Sequence, residues 1–154
     1  IEFNDLINWY FYINKNWYFF IFLIKLKYNL IIYNNTKMSK LITKDISEPW
    51  FSLIKVGLKT VEGRLNKGDF ASLTKGDCIK VVNTKLGFMR NYTIKITSIH
   101  KYTSFKEYLE KEKLEKCLPG IDTIEDGVKV YYKYYLKEDE EKYKIVAIRF
   151  KIIK

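Results

Sequence analysis

The sequence predicts an α+β fold: a small, closed or nearly closed β-barrel decorated with two or three helices. Three observations predict it. Several short segments alternate apolar and polar residues at the period of a strand. Between them lie stretches with apolar residues at helical spacing behind good N-caps. Gly-Asp turns punctuate the chain, and no internal repeat is visible.

The elements follow in order from Met38. Ser47-Glu48-Pro49 reads as a helix start, with Ser47 as cap and Pro49 in the first turn. Trp50, Phe51, Leu53, Ile54 and Leu58 recur at helical spacing, and Gly57 ends the helix. Lys59–Leu65 reads as a strand. Asn66–Asp69 and Thr74–Asp77 read as turns, the second leading into the strand Cys78–Val82. Met89–Ile99 alternates well and is expected to be a longer strand. Ser104 opens a second helix, with Glu107 completing a capping box and Phe105, Tyr108, Leu109 and Leu114 as its apolar face. Leu118-Pro119-Gly120 breaks the chain. Thr123 caps a third helix carrying Ile124, Val128, Tyr131 and Tyr135, with Asp126 closing a weaker box. The acidic run Lys137–Glu141 reads as a solvated loop. Tyr143–Ile153 is the expected last strand, with Ile145, Ala147 and Arg149 on one face and Val146, Ile148 and Phe150 on the other.

The first 37 residues differ from the rest. Thirty-two of them are Ile, Asn, Lys, Tyr, Phe or Leu, the amino acids that A and T alone can encode. The segment has no Gly, Pro, Ala, Ser or Val, whereas Met38 opens a stretch of ordinary composition. Residues 1–37 are therefore expected to be AT-rich upstream sequence translated in frame, unstructured or helical, with the domain spanning 38–154. A surface helix or a membrane anchor are the rival readings. Against an anchor, the longest charge-free apolar run is the eight residues Trp17–Ile24, and a span needs about 20.

A formal net charge of +10 favours an anionic partner, nucleic acid before an anionic membrane surface. Only Arg64, Arg90 and Arg149 are arginines, so the excess is nearly all lysine and is also compatible with a generic basic surface. Cys78 and Cys117 form no CxxC or Cys/His cluster. They read as reduced thiols of an intracellular protein, cytoplasmic or nuclear, with no metal site and no cofactor. His100 is the lone histidine and reads as a strand-end polar residue. Glycine-rich phosphate loops are absent.

Candidate site residues follow the first helix. On a strand, Thr60, Glu62 and Arg64 share one face and Lys59 with Val61 the other. A carboxylate beside a guanidinium fits a charge-assisted pair. Such a set is either a basic cleft, where Lys59 and Arg64 meet phosphate and Glu62 accepts from a base amine, or a salt bridge holding the strand. Trp50 is a core residue or a stacking platform for a base. Tyr131, Tyr132, Tyr134 and Tyr135 interleave with Lys129 and Lys133, which lie four apart on one helix face and could follow a phosphate backbone.

Three stretches together resemble an ASCH domain. They are EPWFSLIKVGLKTVEGRL, with Gly57, Lys59, Thr60, Glu62 and Arg64 in the pattern of the family's early signature, then LTKGDCIKV, and then the helical insertion from Tyr102 with the closing strand YKIVAIRFK. The resemblance covers about Ser47 to Lys151. It implies a PUA-like β-barrel with a cleft lined by the first motif, and an RNA- or modified-nucleotide-binding module, expected to be a monomer without membrane attachment. One bacterial branch of the family is similar to amidohydrolases acting on N4-acetylcytidine through a lysine, a threonine and a glutamate. The lysine corresponds to Lys59. Glu62 stands at the threonine's position, and the glutamate falls near Gly120. An enzyme of that kind would work through Lys59 and Glu62.

Overall fold

The computed structural model describes residues 21–27 and 38–153. The chain divides into two units, Ile1–Met38 and Ser39–Lys154. Of the first, residues 21–27 are helical. The reading of residues 1–37 as upstream translation falls mostly outside the described residues. Among those described, no helix is long and apolar enough to cross a membrane.

The second unit is the expected α+β architecture. Five strands form one mixed sheet: β1 (Leu41–Asp45), β2 (Val61–Leu65), β3 (Cys78–Asn83), β4 (Arg90–Tyr102) and β5 (Ile145–Ile153), in the spatial order β1-β3-β4-β5-β2. Only β1 and β3 run parallel. A register shift between Ile96 and Ser98 marks a bulge in the long strand β4, and a bulge bends and twists its strand. The sheet is a half-barrel rather than a closed one: β1 and β2 are its two edges and are not bonded to each other. Strand β1 was not apparent in the sequence. It has five residues and its exposed positions include Leu41, so its alternation is weak.

Strand alternation builds two cores, one on each sheet face. Ile79 and Val81 of β3, Tyr92, Ile94 and Ile96 of β4, and Val146, Ile148 and Phe150 of β5 point inward, where α1 (Trp50–Lys55) adds Phe51 and Ile54. Val61, Leu65, Ile145 and Ala147 point outward. They are covered by a helical layer of α2 (Phe105–Glu112), α3 (Leu114–Cys117) and α4 (Ile124–Tyr132). Both faces of β5 are therefore buried over Ile145–Ile148, as the paired faces read from its sequence require. Gly127 lets α4 approach α2 and α3, because a Cβ there would lie 2.8 Å from Leu109 Cδ1 and 2.9 Å from Leu114 Cδ1.

Several local readings need correction. Ser47 does not cap α1 with its side chain. The Glu48 carboxylate does so, accepting from Ser52 N at 3.2 Å and Ser52 Oγ at 3.0 Å, because an anion at a helix N-terminus meets both free N–H groups and the dipole. Lys59 and Thr60 precede β2 instead of opening it. Ser104 accepts from Glu107 N, but Glu107 reaches back to Thr103 N and Oγ1, so the capping box closes one residue early. Leu114 belongs to α3, since α2 stops at Lys113 with φ +72°. The second predicted turn is followed as expected by β3, but Gly68–Ser72 after the first forms a 3-10 helix.

The acidic run is not a loop. It is helix α5 (Lys137–Tyr143), and its Glu140 is 4% exposed. Glu140 accepts from Phe105 N, one of the orphan donors of α2, at 2.6 Å, and from Tyr132 Oη. Glu140→Ala should leave that buried N–H unpaired and cost about 1–3 kcal/mol. The check is a lower urea midpoint with an unchanged denaturant slope. Glu140→Gln, which keeps an acceptor, should lose less.

Candidate functional site

A hollow of about 240 Å³ opens at the seam between the two sheet edges. Asp45, Ile46 and Ser47 come from the end of β1, and Glu62, Gly63 and Arg64 from β2. Trp50 and Lys59 enter from α1 and its exit turn, Leu118 from behind α3, Val130 and Tyr131 from the last turn of α4, and Tyr134 and Tyr135 from the turn that follows it.

The exit turn of α1 positions Lys59. Gly57 takes φ +81°, Gly57 N donates to Ile54 O, and Leu58 N donates to Leu53 O, the bond pair of a Schellman turn. Lys59 N also donates to Leu53 O. The chain is thereby turned so that the Lys59 side chain runs inward, where it is 2% exposed. Its ammonium donates to Val61 O at 2.8 Å and to Cys117 O, and lies 3.1 Å from Glu62 Oε2. The Cys117 carbonyl is a C-terminal carbonyl of α3, a place that favours a cation. Lys59 also lies 5.7 Å from the centre of the Trp50 ring. An ammonium has three N–H donors, and three acceptors surround this one.

Glu62 joins the two cations. Arg64 Nε lies 2.8 Å from its other oxygen, Oε1, at an angle that leaves the Nε–H without a directed acceptor. Burial alone would raise the Glu62 pKa. The adjacent Lys59 and Arg64 charges outweigh it and hold the carboxyl below its ordinary value of 4.5. Reciprocally, Glu62 and Tyr135 outweigh burial at Arg64 and raise its pKa further. Arg64 Nη1 donates to Tyr135 Oη at 3.3 Å, and the guanidinium lies over the Phe70 ring at 5.4 Å. The Arg64 side chain is 25% exposed, so its remaining N–H groups face the opening better than Lys59 does. On the opposite face of β2, Tyr131 and Tyr108 share a hydrogen bond of 3.3 Å beneath Gly63.

The structure brings together Trp50, Lys59, Glu62 and Arg64. It does not bring Thr60, Lys129 or Lys133 to the hollow. Thr60 is held through its backbone, donating to Lys116 O and accepting from Phe150 N. Lys129 is exposed and lies 2.8 Å from Asp126, and Lys133 is the exposed C-cap of α4. Lys59, read as a phosphate contact, lines the hollow with its three donors directed at acceptors inside the protein. The lining carries carboxylates as well as cations: Glu62 sits between Lys59 and Arg64, and Asp45 also borders the hollow. Asp45 and Ser47 were missed because only the parallel pairing of β1 with β3 carries them there. The tyrosine cluster was visible as composition, but α4 stops at Tyr132, so Tyr131 reaches the hollow from the helix and Tyr134 and Tyr135 from the turn after it, not from the helix face expected for Tyr135. Among the described residues, no cluster of His, Cys, Asp and Glu could hold a metal ion.

Residues 45–154 match the model of the ASCH domain. Among solved structures, the hypothetical protein PH0355 is 40% identical with a TM-score of 0.66, the match covering 74% of this chain and 99% of that one. Protein PF0455 from Pyrococcus furiosus is 35% identical with a TM-score of 0.61, covering 76% and 99%. An ASCH domain from Lactobacillus crispatus shares the fold at a TM-score of 0.54 and 16% identity, over 73% of this chain and 79% of that one. Among curated proteins, none matches the chain.

Proposed function

This chain belongs to the ASCH domain family, and from that premise we propose that it is an RNA- or modified-nucleotide-binding module whose hollow receives one unpaired base. One observation carries the reading: an ionised carboxylate, Glu62, lies at the floor of a hollow lined by Trp50, Tyr131, Tyr134 and Tyr135. The hollow, of about 240 Å³, is large enough to admit a single planar ring. Planar rings stack on aromatic side chains, and a carboxylate accepts from an exocyclic amine. Glu62 spends one contact on Lys59 and one on Arg64, so lone pairs remain for a ligand. Arg64 has donors to spare for a carbonyl or a phosphate oxygen.

Binding is favoured over hydrolysis of an acylated nucleoside. A carboxyl held below its ordinary pKa is a weak general base near neutral pH. Lys59 is occupied by three acceptors, and Thr60 does not line the hollow.

Titration with mononucleotides, followed by chemical-shift changes, tests the reading. Glu62→Gln and Trp50→Ala should each weaken binding about tenfold to a hundredfold, without turnover of N4-acetylcytidine by the wild type. Full affinity in both variants would sink it.

A further inference from the structure

The helical layer covers only part of the sheet's outer face. It lies over β2 and the first half of β5. Beyond it, no helix among the described residues covers β3, the start of β4 or the end of β5 on that side, where Lys95 and Lys151 are exposed and Lys80 is half-buried. Because Ile79, Val81, Ile94, Ile96 and Phe150 point to the inner core, Lys80, Lys95 and Lys151 point out. The register fixes their spacing. Lys95 stands directly across from Lys151, and Lys80 stands across from Thr93, two residues along β4 from Lys95. Cross-strand neighbours of this kind are about 5–8 Å apart, and like charges directly opposite destabilise a sheet.

Some lysines of the domain are paired, Lys44 with Asp69, Lys67 with Asp139 and Lys129 with Asp126, so what marks the sheet row is its register, which lines up three ammonium groups on one face. Among the described residues, Lys80, Lys95 and Lys151 pair with no carboxylate. Arg149, across from Ser98, continues the row with a side chain 45% exposed and only its Nε engaged by Glu112.

We infer that this bare face is a track for the phosphate backbone of single-stranded RNA, carried by Lys80, Lys95 and Lys151. The choice of RNA as the polyanion rests on the reading of the hollow, while the surface itself rests on the register. Compact ammonium charges suit phosphate oxygens and read no sequence. The row itself carries no aromatic side chain, and the exposed apolar residues Phe88 and Met89 lie in the β3–β4 turn beside it, so binding to lipid vesicles is one arm of the test. The repulsion between Lys95 and Lys151 is relieved when an anion lies between them.

The test is the salt dependence of binding of a fluorescent uridylate dodecamer, measured by anisotropy. Each phosphate contact with a single strand contributes about −0.7 to the slope of log K against log salt. The K80Q/K95Q/K151Q variant should therefore lose about 2 units of slope. Between 50 and 200 mM salt the wild type should weaken about twentyfold more than this variant. A K106Q/K111Q/K116Q control carries the same charge change on exposed residues of the helical layer and should keep the wild-type slope. The sheet variant should unfold at or above the wild-type urea midpoint, since it loses opposed like charges, and should bind mononucleotides as the wild type does. A failure of the hollow reads out separately, as mononucleotide affinity surviving Glu62→Gln. The track is overturned if the wild type does not bind the oligomer, if the sheet variant keeps its slope, or if both variants lose slope equally. It is also overturned if the sheet variant loses binding to phosphatidylserine vesicles while keeping RNA.

Discussion

Replacing Lys59 by Met should destabilise the domain by about 3–5 kcal/mol, although the new side chain is apolar and similar in length. Lys59 is 2% exposed, and Glu62 beside it is 8% exposed. Removing the ammonium leaves the carboxylate with Arg64 alone, and it leaves the buried Val61 and Cys117 carbonyls without their donor. Breaking one side of a buried pair costs far more than the pair contributes net, because the remaining charge is uncompensated. Urea unfolding measures the loss. The double variant K59M/E62Q should recover part of it, with a coupling of about 0.5–3 kcal/mol. A single-variant loss below about 1 kcal/mol, the scale of an exposed pair, would mean that Lys59 is not the internal counter-ion described above. The same variant should bind mononucleotides poorly, because Glu62 then takes up a proton more readily and its position is no longer held from two sides.

Gly63→Ala should be the next most damaging change, at about 1–3 kcal/mol or more. Gly63 lies in the middle of β2, where a strand would ordinarily gain from a side chain. A Cβ there would sit 2.6 Å from Tyr108 Cε1, 2.8 Å from Cζ and 3.0 Å from Tyr131 Oη. Neither ring can swing away, since Tyr108 is fully buried and Tyr131 stacks on Phe105 at 4.3 Å between ring centres. Tyr131 also lines the hollow, so affinity for a mononucleotide should fall along with stability. Thermal or urea unfolding reads the first effect and titration the second. Adding Tyr108→Leu opens room for the methyl, so G63A/Y108L should cost less than the sum of its parts. Strict additivity would show that the contact is relieved by backbone movement instead.

The two predictions bear on one design. Lys59 holds the carboxylate from below, and Gly63 lets the tyrosine layer come close behind it. Neither residue presents a free group to a ligand. Both place groups that do.

Much of this was legible in the chain itself, for a physical reason. Caps, turns and strand alternation act over one to four residues, so the Gly57 stop, the Ser104 and Thr123 caps and the two faces of β5 follow from local chemistry. The Lys59–Thr60–Glu62–Arg64 spacing likewise drew attention to the right segment. What only the tertiary structure decided are the properties that depend on partners far away in sequence. Glu140 is buried because Phe105, 35 residues earlier, needs an acceptor. Lys59 turns inward because Cys117, 58 residues later, offers a carbonyl. Asp45 borders the hollow because β1 pairs in parallel with β3. A side chain's charge can be read from its letter, but whether that charge is spent inside the protein or left for a ligand depends on which distant group folds against it.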